Sequence, residues 1–282
     1  MNWMKEIKVA IFDLDGTLYQ DYSFLERYLT YLFKESHSHQ EIQQIISEAY
    51  DILEGNHVIK FGHFIDKKRQ ISFPYINDGV AANIYSWGKK EQIIAEILSP
   101  FNDIEDENML YLGDPWGIAA FYIEKHNIDK RKGVETFNKV RKEMLLSPFS
   151  IQRYELLFKA IEEMNVEKKT LMTNTPLPSA YEFITYLGIE NLFNDYVYDA
   201  KKPIGIQLYV ERLLEQGYLA EQILSIGDNP WNDLYPVQRL GGRGCLISKY
   251  KHANLSTRPD FTVTGIEQLT DFLTETKVKI NS

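Results

Sequence analysis

Residues 8–17 read Lys8-Val9-Ala10-Ile11-Phe12-Asp13-Leu14-Asp15-Gly16-Thr17, and this stretch decides the fold. The run from Ile7 to Phe12 is short, apolar and partly β-branched, and it halts at two carboxylates and a glycine. A strand buried on both faces of a parallel sheet ends in this way. Its grammar returns only after Ser150, where strands are expected at Thr170–Thr173, Tyr196–Tyr198, Ile223–Ile226, Gly244–Ile247 and Phe261–Thr264. Helical patterns separate them at Ile151–Met164, Ala180–Leu187, Gly205–Gln216 and Leu234–Leu240, with a last one at Ile266–Thr274. Strand–helix alternation of this kind implies an α/β fold, a Rossmann-like parallel sheet with helices on both faces.

Between the first strand and the rest, apolar residues recur at helical spacing: Phe24, Leu25, Tyr28, Leu29, Leu32 and Phe33, then Ile42, Ile45, Ile46, Ala49, Ile52 and Leu53. Further helices are expected at Trp116–Lys125 and Val134–Leu146, and the stretch Gly55–Gly88 reads as loops with short helical pieces. The sheet is therefore discontinuous in sequence. Residues 1–19 and 150–282 are expected to form the α/β core domain, and residues 20–149 an inserted, mostly helical domain.

The 282 residues, 44% hydrophobic and 25% charged, are enough to bury a sizeable core in a soluble globular protein. The formal charge of −9 argues against a nucleic-acid binder, which needs basic stripes to neutralise phosphates. No apolar run is long enough to span a bilayer, the first residues do not read as a signal peptide, and the single Cys245 has no partner for an internal disulfide. The expected setting is the cytoplasm, without a membrane or nucleic-acid partner.

Four signals close expected strands, where open α/β sheets place their ligands. Asp13-Leu14-Asp15-Gly16-Thr17 brings two carboxylates to one turn, which Gly16 permits. Thr173-Asn174 offers a hydroxyl and backbone N–H groups. Lys201-Lys202-Pro203 puts a lysine at the mouth of a helix, with proline suited to its first position. Gly227-Asp228-Asn229-Pro230-Trp231-Asn232-Asp233 adds two more carboxylates. Singly these are turns and caps; in this order, each after a strand, they point to one site. Phosphoryl transfer needs such a set: a nucleophile, a proton donor for the leaving oxygen, and cations that offset a phosphate beside several carboxylates.

The series resembles the four motifs of the haloacid dehalogenase superfamily, in its phosphatase branch, and the inserted segment resembles the helical cap that follows the family's first motif. The resemblance implies an aspartyl-phosphate on Asp13, with Asp15 as general acid and base. It implies Mg²⁺ held by Asp13, the main-chain carbonyl of Asp15, and Asp228, with Asp233 acting through water or by orienting the lysine. Thr173, Asn174 and Lys202 would bind the phosphoryl group; the match to a lysine–proline pair selects Lys202, with Lys201 as the neighbouring alternative. The family's dehalogenases lack a second acid at the position of Asp15, so the implied substrate is a small phosphorylated metabolite rather than a halide.

In the insert, Lys60, His63, Lys67, Lys68, Arg69 and Arg141 are candidate leaving-group contacts, Arg141 first among them, each weighed against being a solvated charge. The aromatics Phe61, Phe64, Phe73, Tyr75, Tyr85 and Trp87 read as insert core before they read as a stacking surface. Tyr111-Leu112-Gly113-Asp114-Pro115-Trp116-Gly117 echoes the fourth motif but has no later carboxylate at its spacing; it reads as a helix start capped by Asp114. Phosphomonoester hydrolysis leads. A phosphomutase follows, disfavoured because Tyr19–Phe24 lacks the histidine typical of similar mutases, and a non-catalytic phosphate-binding protein comes last.

Overall fold

Val9–Phe12 forms strand β1, every residue of it 0–1% exposed. Burial on both faces explains why its sequence shows no polar alternation. In this computed structural model, which describes residues 2–74, 84–87, 92–93, 108–253 and 258–278, the chain divides into two compact units. The first comprises Met1–Asp21, Ile151–Lys249 and Thr257–Ser282, and the second Tyr22–Ser150 with Tyr250–Ser256.

The second unit holds helices α1 (Phe24–Phe33) and α2 (His39–Glu54), short strands β2 (His63–Asp66), β3 (Ile71–Pro74), β4 (Ile84–Ser86), β5 (Gln92–Ile93) and β6 (Met109–Tyr111), and helices α3 (Pro115–Lys125) and α4 (Lys130–Glu143). In the first unit follow α5 (Glu155–Glu162), β7 (Lys168–Met172), α6 (Ser179–Leu187), β8 (Asp195–Val197), α7 (Ile204–Glu215), β9 (Ile223–Gly227), α8 (Tyr235–Arg239), β10 (Arg243–Ile247), β11 (Phe261–Val263) and α9 (Ile266–Val278).

The six strands of the first unit make a parallel sheet in the order β11-β10-β9-β1-β7-β8. Alternate residues of β1 face opposite ways. Val9 and Ile11 join Ile206, Val210 and Leu213 of α7 and Val237 of α8 in one buried cluster. Phe12 meets the edge of Phe193, ring centroids 5.6 Å apart. Each such buried aliphatic or aromatic side chain contributes about 1.5–3 kcal/mol. From β1 the chain builds outward on one side through β7 and β8, then returns to the other side through β9, β10 and β11. That reversal puts the switch point of the sheet between β1 and β9, beside whose carboxyl ends open α/β sheets take their ligands.

In the second unit α1 packs on α2, α3 and α4. Ser38 and Glu41 close a capping box at the start of α2. Asp114 caps α3, accepting from the Gly117 N–H at 2.7 Å with Pro115 in the first turn, so the echo of the fourth motif is a helix start. The insert is mainly helical but also carries an antiparallel sheet, β5-β4-β3-β2-β6. This corrects the reading of Gly55–Gly88 as loops and helical pieces. The β2–β3 hairpin turns through Lys67-Lys68-Arg69-Gln70, where the Asp66 carboxylate accepts from the Arg69 N–H at 2.8 Å and Gln70 takes φ +56°. A side chain closes this turn without glycine or Asn-Gly, so the sequence shows no hairpin signal. Phe61, Phe64 and Phe73 are buried, while Tyr75 lies outside the described residues. No helix among the described residues is long and apolar enough to cross a membrane.

Candidate active site

Asp13 is the first residue past β1, and its N–H donates to the Ile226 carbonyl at 3.0 Å, which continues the sheet pairing onto the nucleophile candidate. Asp228 follows β9 directly. Asp233 arrives through a π-helical turn, Pro230–Leu234, begun by Asn229, whose Oδ1 accepts from the N–H groups of Trp231 (3.2 Å) and Asn232 (3.0 Å). Such wide turns recur at functional sites because they re-aim one side chain. The Ser225 hydroxyl holds the Asp233 carbonyl at 2.7 Å, and the Asn229 N–H donates to Asp233 Oδ2 at 3.0 Å.

Two glycines make room for these carboxylates. A Cβ on Gly16, which sits at φ +78°, would lie 2.0 Å from Asp228 Oδ2, and one on Gly227 would lie 2.2 Å from Asp233 Oδ2. The carboxylates therefore rest against bare backbone, which no larger residue allows.

Lys202 Nζ lies 2.6 Å from both Asp13 Oδ1 and Asp233 Oδ1, with all three side chains under a tenth exposed. Lys201 instead points out, 75% exposed and paired with Asp199 at 3.0 Å. The chain thus places Lys202, and not its neighbour, among the carboxylates. Burial alone would lower the Lys202 ammonium, but Asp13 and Asp233 outweigh it and raise the group above its ordinary value. Burial pushes the Asp13 carboxyl up to about 8; Lys202 opposes this, and Asp233 and Asp15 add to it.

One oxygen each from Asp13, Asp228 and Asp233 lie within 4.8 Å of one another. Three buried carboxylates around one ammonium leave negative charge uncompensated, and the donors are all hard oxygens. That set fits a hard divalent cation, which would also favour the ionised form of Asp13.

Asp15 is half-buried and turned toward hydroxyls. Tyr19 donates to Oδ1, while Thr175 at 2.7 Å and, at longer reach, Thr173 at 3.4 Å donate to Oδ2. The Thr173 hydroxyl also accepts from the Thr175 N–H at 3.0 Å. The Asn174 carboxamide meets the main chain of Lys202 on both sides: Nδ2 donates to its carbonyl at 3.2 Å and Oδ1 accepts from its N–H at 2.7 Å. Tyr19 and Thr175 were not singled out in the sequence. The available hints were an i,i+4 spacing from Asp15 and a second hydroxyl two residues past Thr173.

Most candidates of the inserted unit have partners within it. Lys60 Nζ holds the Gly55 carbonyl at 2.7 Å, His63 Nδ1 is 2.8 Å from Ser72 Oγ, Lys67 pairs with Glu124 at 3.8 Å and Arg69 with Asp66 at 3.5 Å, while Lys68 is exposed. Arg141 is 1% exposed, its guanidinium 5.8 Å from the ring centroids of Trp116 and Phe137.

A parallel sheet with carboxylates at the carboxyl ends of β1 and β9, a lysine shared between two of them and an insert after the first motif defines a hydrolase of the haloacid dehalogenase type. The chain belongs to the haloacid dehalogenase-like hydrolases, whose sequence profile matches residues 7–241. Among solved structures it is similar to a predicted phosphoglycolate phosphatase from Haemophilus somnus 129PT (15% identity, 95% of this chain and 98% of that chain covered, TM-score 0.53). It is also similar to the L-2-haloacid dehalogenase RSc1362 (15% identity, 95% and 99% covered, TM-score 0.51). One is described as a predicted phosphatase and the other as a dehalogenase, so these likenesses speak for the fold and leave the chemistry to the site. Comparison with curated proteins yields no match.

Proposed function

We propose that the protein is a Mg²⁺-dependent phosphomonoesterase that forms an aspartyl-phosphate on Asp13. The observation that supports this most is the presence of a second, separately held carboxylate, Asp15, two residues from the buried Asp13–Lys202–Asp233 cluster. Dehalogenation has no need of a proton for its leaving group; an alkoxide leaving phosphorus does.

In this reading Asp13 attacks phosphorus, and the ester oxygen leaves with its bonding pair and takes the proton of Asp15. Water then attacks the acyl phosphate, giving its proton to Asp15, and Asp13 is released with inorganic phosphate. Lys202 and the Thr173 hydroxyl offset the charge on the phosphoryl oxygens, and Asp233 keeps Lys202 in place. Asp13, Asp228, Asp233 and the Asp15 carbonyl would hold Mg²⁺, which when bound neutralises charge on the phosphoryl oxygens. The substrate class is small phosphorylated metabolites. Arg141, buried beside Trp116 and Phe137, is the first candidate of the insert for the leaving-group contact in this reading.

The test measures phosphate release from a panel of phosphomonoesters, and halide release from 2-haloacids, with Mg²⁺ and with chelator. Wild type should release phosphate only with the metal, and Asp13→Asn should release none. Halide release without phosphate release from a folded protein would overturn the reading.

A further inference from the structure

The loop from β8 to α7 carries Lys202 and contains two non-glycine residues with left-handed backbone, Asp199 at φ +45° and Lys201 at φ +55°. Such residues persist only where surrounding contacts over-determine them. The exit loop of β7 supplies these contacts: Ala200 N–H to the Thr173 carbonyl at 2.9 Å, Asp199 N–H to the Thr175 carbonyl at 3.2 Å, and the two-sided contact of Asn174 with Lys202. The first two are backbone to backbone. Asn174 grips the main chain of the loop with a side chain, and it does so at the residue whose ammonium lies 2.6 Å from two carboxylates at once.

We infer that Asn174 is a positioning residue: its carboxamide clamps the main chain of Lys202 and so fixes Nζ between Asp13 and Asp233. A carboxamide suits this because it carries a donor and an acceptor side by side, as a peptide group does; serine and aspartate cannot supply both in that geometry. The inference rests on the phosphatase reading for its kinetic consequence and is independent of it for its structural one. A shift of about 1 Å in a charge-neutralising group lowers turnover by about 100-fold, so loss of the clamp acts through Lys202.

Amine acetylation followed by mass spectrometry tests the clamp without any substrate. Lys202, 3% exposed, should resist labelling in wild type and react at least about tenfold faster in Asn174→Ala, which loses two hydrogen bonds of about 0.5–1.5 kcal/mol each. Lys201, already 75% exposed, is the control and should not change. Asn174→Asp keeps the acceptor for the Lys202 N–H, so it should give intermediate labelling and guards against a poorly folded alanine variant. Unchanged Lys202 labelling in both variants overturns the clamp, whether or not any ester is hydrolysed. With an active ester, a double-mutant cycle separates positioning from direct substrate contact. Asn174→Ala should lower kcat/KM strongly in wild type and hardly further in the Lys202→Met background. Independent, multiplying losses would place Asn174 on the substrate itself and refute the positioning role.

Discussion

Replacing Lys202 by methionine removes one positive charge and leaves a chain of similar length and flexibility in the same space. The ammonium lies 2.6 Å from Asp13 and from Asp233, and the three side chains are 3%, 9% and 2% exposed. Were the trio at the surface, its loss would cost about 0–1 kcal/mol. Buried, it strands Asp233 without its cation and leaves Asp13 protonated, and breaking such a pair costs about 3–5 kcal/mol. In a chain of this size that is on the order of 10 °C in the thermal midpoint with chelator present. The loss also carries a pH signature. Asp13 stands at about 8 with Lys202 beside it, and without the lysine it rises further. A carboxyl raised in the folded state stabilises most below its unfolded value and progressively less as pH rises through its folded one. Between the two folded values the variant still binds a proton that wild type has released. The gap between them should therefore widen above pH 8, by up to about 1.4 kcal/mol per pH unit. Thermal and urea unfolding followed by circular dichroism at pH 7 and pH 9 measure both effects. A midpoint change under 2 °C at both values, the size of a surface pair, would show that Lys202 is solvated and that the cluster is not built around it.

Tyr19→Phe removes one hydroxyl from Asp15 while leaving Thr175, and kcat for phosphate release should fall about 10–100-fold with little change in midpoint, the scale of one hydrogen bond to a charged group; equal kcat would show that Asp15 does not depend on it. Gly16→Ala puts a Cβ 2.0 Å from Asp228 Oδ2 at φ +78°. Mg²⁺ alone should raise the midpoint of wild type but not of Gly16→Ala or Asp228→Asn, a stabilisation of about 2.7 kcal/mol at 100 times Kd; an unchanged rise in Asp228→Asn would remove Asp228 from the metal site. His63 and His252, buried and held down at about 4, are neutral in the folded chain. Their contribution is complete above pH 6.5 and is lost as pH falls toward 4, by up to about 3 kcal/mol each; His63→Gln should flatten the decline of the midpoint between pH 6.5 and 4.5, and an unaltered slope would mean His63 titrates normally.

The core was legible because burial on both faces leaves a continuous apolar run, as in β1, and because the candidates Asp13, Thr173 and Asp228 stand at the breaks where such runs end. Asp13 and Asp228 could be read from those breaks, and Asp114 from the grammar of helix starts. The β2–β3 hairpin could not, since its turn is made by Asp66 holding the Arg69 N–H within a run of charges that elsewhere marks solvent. The burial of Arg141 was hidden for a related reason: a lone arginine on a helix reads as a solvated charge, yet it is 1% exposed beside Trp116 and Phe137. Least legible was the support of the site. Asn174 meets Lys202 across 28 positions, and Thr175 meets Asp15 across 160. Those pairings exist only because β7 lies beside β1 in the sheet and the β8–α7 loop folds back on the exit of β7. Motifs at strand ends mark the candidate groups. The neighbours that aim them are set by strand order, so they become visible once the order β9-β1-β7-β8 is known.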